Sequence, residues 1–182
     1  MIDDIHELAK YLPEKSIRRS PIIVTSGGFD PLHIGHVRCI QNAARLHPNG
    51  KLVVIVNGDG FLIRKKGKPF MPHMERMEII DALKLVDYVV GWDDGSQTVT
   101  GALDILRPDF FAKGGDRSSA DKVPEFELCE KIGCQVIFGV GGTDKVQSSS
   151  DLIKNSLECE HNWVMDGHNA GDPICSLCYK RG

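Results

Sequence analysis

The stretch Pro21-Ile22-Ile23-Val24-Thr25-Ser26-Gly27-Gly28-Phe29-Asp30-Pro31-Leu32-His33-Ile34-Gly35-His36 decides the fold. It opens with a short apolar, β-branched run at residues 21–25, which is typical of a fully buried parallel strand. Gly27 and Gly28 then allow a sharp turn and bring backbone N–H groups close to a ligand. A helical pattern begins directly afterwards. The stretch therefore predicts a strand, a tight loop and a helix, which together form half of a βαβ unit.

The same alternation of strand and helix continues along the chain. Further short apolar runs predict strands at residues 51–57, 87–91, 109–113 and 134–139. Helical spacing of apolar residues predicts helices at residues 2–12, 34–47, 73–85, 97–106, 124–132 and 149–157. This order predicts an α/β fold with a Rossmann-like open five-stranded parallel sheet and helices on both faces. In such sheets the ligand binds beyond the carboxyl ends of the strands, so the loops after strands become the candidates for function.

Composition limits the possible partners and the number of domains. A chain of 182 residues with a formal net charge of −3 gives no overall reason to expect binding to nucleic acid or to a membrane surface. The chain has no apolar run of membrane-spanning length, and its first residues lack the positive charge of a signal peptide. We expect a cytoplasmic protein with an N-terminal helix and linker (1–20), one catalytic domain (21–157) and a small tail (158–182).

His33 and His36 are the strongest candidates for catalytic residues. They are three residues apart where a helix begins, so both rings can project from one face. The N-terminus of a helix attracts anions, and two imidazoles there can stabilise the charge that develops on a phosphate in its transition state. Gly35 between them removes a side chain that would block a bulky polyphosphate. Two structural histidines beside a turn are the alternative interpretation.

Three other segments that follow strands or begin helices have phosphate-binding chemistry. The basic stretch 64–68 can screen a triphosphate as a flexible loop, with Lys66 favoured over Lys65. Glycines 114 and 115 let the backbone approach a base or phosphate, beside Lys113 and Asp116. The serine triplet 148–150 precedes the last helix of the fold, where hydroxyls and free N–H groups form a phosphate cradle. The simpler interpretations are a solvated loop, a strand-end turn and an ordinary helix cap.

These segments together resemble the HxGH nucleotidyltransferase superfamily over about residues 20–157. The resemblance is strongest to the adenylyltransferase domain of bifunctional heptose kinases/heptose-1-phosphate adenylyltransferases, and weaker to glycerol-3-phosphate cytidylyltransferase. It rests on Gly28-Phe29-Asp30 with His33-Ile34-Gly35-His36, Glu75-Arg76-Met77, Leu85–Val90, Arg107-Pro108-Asp109, Lys113-Gly114-Gly115-Asp116, and Ser148-Ser149-Ser150 before Ile153-Lys154. The relatives carry threonines at two positions of the serine triplet, and Gln147 also departs from their pattern.

The resemblance implies an enzyme that transfers a nucleoside monophosphate to a sugar 1-phosphate or similar metabolite and releases pyrophosphate, with Mg²⁺ on the phosphates. It favours ATP as the donor, with CTP as the alternative, and allows a homodimer. It implies catalytic roles for His33, His36 and Lys66. It implies nucleotide contacts from Gly27, Gly28, Phe29, Asp30, Lys65, Lys113, Gly114, Gly115, Asp116, Ser148, Ser149 and Ser150.

Two further functions compete with this interpretation. The His-Ile-Gly-His sequence also occurs in class I aminoacyl-tRNA synthetases, but those need much longer chains and a lysine-rich signature loop that is missing here. The other is a degenerate transferase fold that serves as a non-catalytic nucleotide-binding module, with a zinc ribbon in its tail that docks protein or nucleic acid. The retained histidines, lysines and serines disfavour it.

The tail carries the signature of a metal site. Cys159 and His161 precede Cys175 and Cys178, giving two close pairs of ligands separated by thirteen residues. Zinc binds such thiolates and imidazoles tetrahedrally, and four protein ligands are typical of a structural site. His168 is the rival nitrogen ligand. We therefore expect a small zinc-binding tail whose ordering depends on the metal.

Overall fold

The β-branched runs form a parallel sheet whose order is β3-β2-β1-β4-β5. The strands are β1 (Ile22–Gly27), β2 (Lys51–Asn57), β3 (Tyr88–Trp92), β4 (Phe110–Gly114) and β5 (Gln135–Val140). The computed structural model describes residues 4–114, 123–142, 147–157, 163–165 and 173–175. All four strand pairs of this sheet are parallel, so the predicted Rossmann-like five-stranded sheet is confirmed. The order in which the chain adds strands reverses at β1, because β2 and β3 lie on one side of it and β4 and β5 on the other.

Helices cover both faces of the sheet, as predicted. One face, here called the α5 face, packs against α1 (Ile5–Tyr11), α5 (Thr100–Leu106) and α6 (Phe126–Lys131). The opposite face, the α2 face, packs against α2 (Ile34–Ala44) and α4 (His73–Asp81). Because successive strand residues point to opposite faces, each buried strand supplies both cores. The sheet is thus dry on both sides, and polar chemistry is left to its ends.

The basic stretch at residues 64–68 differs from the prediction of a flexible loop. Residues 59–66 form helix α3 (Asp59–Lys66), which ends at Gly67 with a positive φ of 91°. The arrangement suits the helix dipole, because Asp59 lies in the first turn and Arg64, Lys65 and Lys66 lie in the last. The three cations are therefore fixed along a helix that begins at the carboxyl end of β2.

Residues 147–182 form a second compact unit, separate from residues 1–146. It contains α7 (Ser149–Leu157) and an antiparallel pair of short strands, β6 (Trp163–Met165) and β7 (Pro173–Cys175). Ser148 caps α7, because its Oγ accepts the backbone N–H of Asp151 at 3.2 Å. The domain bounds expected at residues 20 and 157 stay a prediction.

The zinc site expected in the tail is not supported by the described residues. Cys159, His161 and Cys178 lie outside them, and of Cys175 only the position at the end of β7 is described. Within the described ranges no group of three or more His, Cys, Asp or Glu side chains is placed to hold a metal ion. None of the described helices is long and apolar enough to cross a membrane.

Candidate active site

The two motif histidines lie face to face where α2 begins, directly after the loop that follows β1. His33 is the N-cap residue of α2, and its ring stacks on that of His36 with centroids 3.7 Å apart and 22° between planes. The edge of Phe29 completes the group, with its ring 5.1 Å from that of His36. A Cβ on Gly35 would lie 3.1 Å from the ring of His33, so glycine leaves room for the stack.

Hydrogen bonding and burial fix the chemical state of His36. Its Nδ1 accepts the backbone N–H of His33 at 3.3 Å, so the neutral ring carries its proton on Nε2. Burial, with the nearby charges of His33 and Lys66, lowers the pKa of His36 to about 4. Burial also lowers the pKa of His33. Both rings are therefore neutral at pH 7, and the Nε2–H of His36 is available as a hydrogen-bond donor.

Asp30 is a buried anchor for the segments around the histidines. Its carboxylate accepts the backbone N–H groups of Phe70 and Met71 at 2.8 and 2.7 Å, and its Oδ2 lies 2.7 Å from Lys66 Nζ. Burial alone would raise the pKa of Asp30, but the bonds from Lys66 and from the two N–H groups outweigh it and hold the pKa below its usual value. Lys66 also donates to the Asp30 carbonyl at 2.8 Å, which holds the ammonium next to the histidine loop.

Arg76 joins the ends of two neighbouring strands. Its side chain is fully buried in α4, and its Nη1 donates to the carbonyls of Gly28 and Asn57, both at 2.7 Å. Nη2 bonds to the Asp59 carboxylate at 2.7 Å, and Nε donates to the Met71 carbonyl at 3.0 Å. Arg76 is thus an internal tie between the loop after β1, the end of β2 and the start of α3.

Lys113 lies at the carboxyl end of β4 and already has protein partners. Its Nζ is 3.3 Å from Glu125 Oε2 and 4.3 Å from the centre of the Phe111 ring, and only 7% of the residue is exposed. Glu125 is as deeply buried and also accepts the backbone N–H of Val99 at 3.1 Å. Both partners are buried, so the pair holds β4 to the segment that precedes α5.

The remaining predicted site residues fall into three groups. Gly27, Gly28, Phe29 and Asp30 lie with the histidines, and Lys65 and Lys66 lie in the last turn of α3. Gly114 ends β4, and a Cβ there would lie 2.7 Å from Cys39 Sγ, so this glycine is also needed for packing against α2. Gly115 and Asp116 lie outside the described residues, and the three serines belong to the second unit.

Comparison with known proteins identifies the family to which this arrangement belongs. Residues 24–155 match the family model described as cytidylyltransferase-like. The chain belongs to the cytidylyltransferase-like family. The match covers most of β1, all of β2 to β5, the histidine loop and most of α7.

Relatives with curated descriptions are bifunctional proteins named HldE. The bifunctional protein HldE of Syntrophotalea carbinolica is 39% identical over 146 residues, which cover 78% of this chain and 28% of that protein. HldE of Blochmanniella pennsylvanica is 38% identical over 144 residues, again 28% of its length. This chain therefore spans less than a third of the length of these relatives.

Solved structures agree on the fold. A lipopolysaccharide core biosynthesis protein from Thermoplasma volcanium is 26% identical, with a TM-score of 0.55 over 68% of this chain and 98% of that one. Pantothenate synthetase from Thermus thermophilus shares the fold at 16% identity, with a TM-score of 0.57 over 83% of this chain and 66% of that one. The family match over residues 24–155 confirms the expected membership of the cytidylyltransferase-like superfamily.

We expect Arg76→Lys to lower the free energy of unfolding by about 2–4 kcal/mol, because a lysine cannot reproduce the four bonds of the planar guanidinium. Urea denaturation measures the change. The matched control is Arg38→Lys, since Arg38 is exposed on α2 and should change stability by less than about 0.5 kcal/mol. Equal stability of the two variants would contradict the role given to Arg76.

The lowered pKa of His36 also predicts how stability depends on pH. The unfolded chain, whose histidines titrate near 6.5, binds protons more readily than the folded protein between about pH 6.5 and 4. Folding is therefore destabilised as pH falls through this window, by on the order of 1–3 kcal/mol for His36. In urea denaturation, His36→Asn should remove most of the decrease in the free energy of unfolding between pH 7 and 5. His6→Asn, at an exposed histidine of α1, should leave that decrease unchanged.

Proposed function

We propose that this protein is an adenylyltransferase, which moves AMP from ATP to a sugar 1-phosphate and releases pyrophosphate. The observation that supports it most directly is the pair of stacked, neutral imidazoles at the start of α2, with Lys66 held beside them. Neutral donors aimed at one point favour charge that develops on phosphate oxygens in the transition state. A helix N-terminus at the same point adds to the attraction for a polyphosphate.

The proposed chemistry needs no general base. An ionised oxygen of the acceptor phosphate attacks the α-phosphorus of ATP, and a new P–O bond forms. The bond from that phosphorus to the oxygen bridging to the β-phosphate breaks, and pyrophosphate leaves with the electron pair. In this scheme the Nε2–H of His36 and the ring of His33 donate to the phosphate oxygens. Lys66 neutralises charge on the leaving group, and Lys65 in the same turn of α3 contributes to binding the nucleotide.

Mg²⁺ would accompany the nucleotide and neutralise charge on its phosphates. The chain offers it few ligands near the histidines, because the Asp30 carboxylate is taken up by Lys66 and by two backbone N–H groups. Mg²⁺ keeps several waters and commonly binds through substrate phosphates, which fits this setting. We therefore assign the metal to the nucleotide, with Asp30 holding Lys66 in place.

The sugar phosphate acceptor is favoured by the relatives. HldE proteins are 38–39% identical to this chain, and the T. volcanium structure is described as a lipopolysaccharide core biosynthesis protein. Lipopolysaccharide cores are built from sugars, so an activated sugar is the product class that fits this description. The resemblance around Lys113 favours ATP over CTP. The alternative is a CTP-dependent enzyme that acts on glycerol 3-phosphate. A cytoplasmic location and a homodimer remain part of the prediction.

Pyrophosphate release tests the proposal. Purified protein with Mg²⁺ should release pyrophosphate from ATP in the presence of a sugar 1-phosphate, with a lower kcat/KM for CTP. His36→Ala and His33→Ala should each lower kcat by about 10²–10³-fold, because one preorganised donor is lost. The exposed His6→Asn variant serves as the control. A higher kcat/KM for CTP with glycerol 3-phosphate would contradict the proposed donor and acceptor. Full activity of His36→Ala would contradict the proposed mechanism.

The zinc site in the tail is a separate proposal. Trp163 of β6 pairs with Cys175 of β7, so the chain enters and leaves this antiparallel pair at the same end. In the sequence Cys159 and His161 stand just before Trp163, and Cys178 stands just after Cys175. This order favours a structural zinc ion bound by Cys159, His161, Cys175 and Cys178.

Metal analysis of protein purified without added zinc tests this site. We expect about one equivalent of zinc per chain, which Cys178→Ser and His161→Ala should greatly reduce. His168→Ala is the matched control and should retain the metal. Less than about half an equivalent of zinc in the unmodified protein would refute the site. Loss of zinc in His168→Ala, with zinc retained in His161→Ala, would make His168 the nitrogen ligand in place of His161.

A further inference from the structure

A cleft of about 330 Å³ opens at the amino ends of β1 and β4. Pro21 directly precedes β1, and Asp109 and Phe110 stand where β4 begins. The amino and carboxyl ends of parallel strands lie at opposite edges of a sheet, so this cleft is one strand length, roughly 20 Å, from the histidines. The proposed transfer reaction uses none of the residues that line it. The cleft is here called the basal cleft.

The carboxylate in the basal cleft is already engaged by the protein. Asp109 accepts the backbone N–H of Ile22 at 2.8 Å and pairs with Arg18 at 3.5 Å and Lys15 at 3.8 Å. Lys15 and Arg18 also donate to backbone carbonyls at or just after the ends of α5 and α6. The Arg18 side chain is almost fully buried. These bonds fix the floor of the cleft and neutralise its carboxylate.

Arg19 and His47 line the same cleft with donors that are still available. Arg19 is exposed, and within the described ranges its guanidinium has no hydrogen-bond or ion-pair partner. His47 Nδ1 accepts the backbone N–H of Asn49 at 3.3 Å, so the neutral ring carries its proton on Nε2. The planar fork of an arginine binds a phosphate or carboxylate through two parallel hydrogen bonds. The two side chains therefore offer an oxyanion an arginine fork and an imidazole N–H.

Charge and shape favour a phosphate over a carboxylate. Three permanent cations, Lys15, Arg18 and Arg19, face the single carboxylate of Asp109, which leaves an excess of two positive charges. A phosphate monoester carries a charge of about −1.5 to −2 at pH 7, whereas a carboxylate carries only one. Pro21 and Phe110 add an apolar wall, and the cleft volume lies at the lower end of the range for small-molecule sites.

We propose that the basal cleft binds a small phosphorylated molecule, with Arg19 and His47 on its phosphate and Phe110 against its organic part. Such a ligand would join the segment before β1 to the segment before β2, which contain Arg19 and His47 respectively. Binding to the folded protein alone stabilises the fold. A phosphorylated metabolite could thus act on the protein without competing for the histidine site. Occupancy of the basal cleft does not depend on the transfer reaction proposed above.

NMR titration of ¹⁵N-labelled protein with phenyl phosphate tests this site. The amide signals of Arg19, His47 and Phe110 should shift together and saturate. Phenyl phosphate should bind about tenfold more tightly than inorganic phosphate, because its ring buries apolar surface against Phe110. Arg19→Gln should weaken binding by about tenfold or more, since a charged fork is lost. The control is Arg45→Gln, at an exposed arginine that caps α2 and does not line the cleft, which should leave the affinity unchanged.

Binding of phosphate at the catalytic histidines gives a separate set of signals, at Ile34 and Gly67, which should persist in Arg19→Gln. This variant should also keep its pyrophosphate-releasing activity, because the catalytic residues stay in place. Shifts confined to Ile34 and Gly67 would refute the basal site. Shifts at the basal cleft that do not saturate, or that keep the same affinity in Arg19→Gln, would refute it as well.

Discussion

The bonds of the buried Arg76 guanidinium underlie the geometry of the whole site. A planar group with five N–H donors reaches the carbonyls of Gly28 and Asn57 at the same time. Gly28 follows β1 and Asn57 ends the neighbouring strand β2, so without this shared donor both carbonyls would lose a hydrogen-bond partner in the interior. The cation itself is tolerated there because the Asp59 carboxylate lies 2.7 Å from it and remains partly open to solvent. The histidine loop is thus supported from inside the protein.

The electrostatics of the site follow from this support. A positively charged histidine pair would repel Lys66 and would be costly to bury, whereas two neutral rings can stack at 3.7 Å. The positive charge of the site is concentrated instead on α3, where Lys66 is balanced by Asp30. Hydrogen-bond donors and full charges are therefore carried by different elements. In the proposed function, this division would place the donors close to the transferring phosphorus and the cations farther along the polyphosphate.

The sequence predicted the sheet and the position of the two histidines at the start of a helix, because both depend on local patterns. A β-branched run followed by two glycines and a helical pattern leaves few alternatives for residues 21–36. Helix α3 was missed because consecutive cations resemble a solvated loop, and the favourable dipole interaction only appears once the helix ends are known. Its fixed position replaces the expected closing loop.

The ion pair between Lys113 and Glu125 could not be predicted from local patterns, because pairing of buried groups depends on packing in three dimensions. The partner of Lys113 is Glu125, which follows it by twelve residues and gives no periodic signal. In the tail, the motif remains the main guide, because three of its four predicted ligands lie outside the described residues.

The contact between Lys66 and Asp30 has a further consequence for affinity. A long lysine side chain usually loses rotamer freedom when it first meets a ligand, at a cost of about 0.5–1.5 kcal/mol. Here the ammonium is already held by a carboxylate and a carbonyl of Asp30. That loss of freedom has occurred during folding, before any ligand arrives. The strength with which a phosphate is held at this position is thus coupled to the stability of the fold itself, and conditions that loosen the loop at Asp30 would weaken binding without altering any group that touches the ligand.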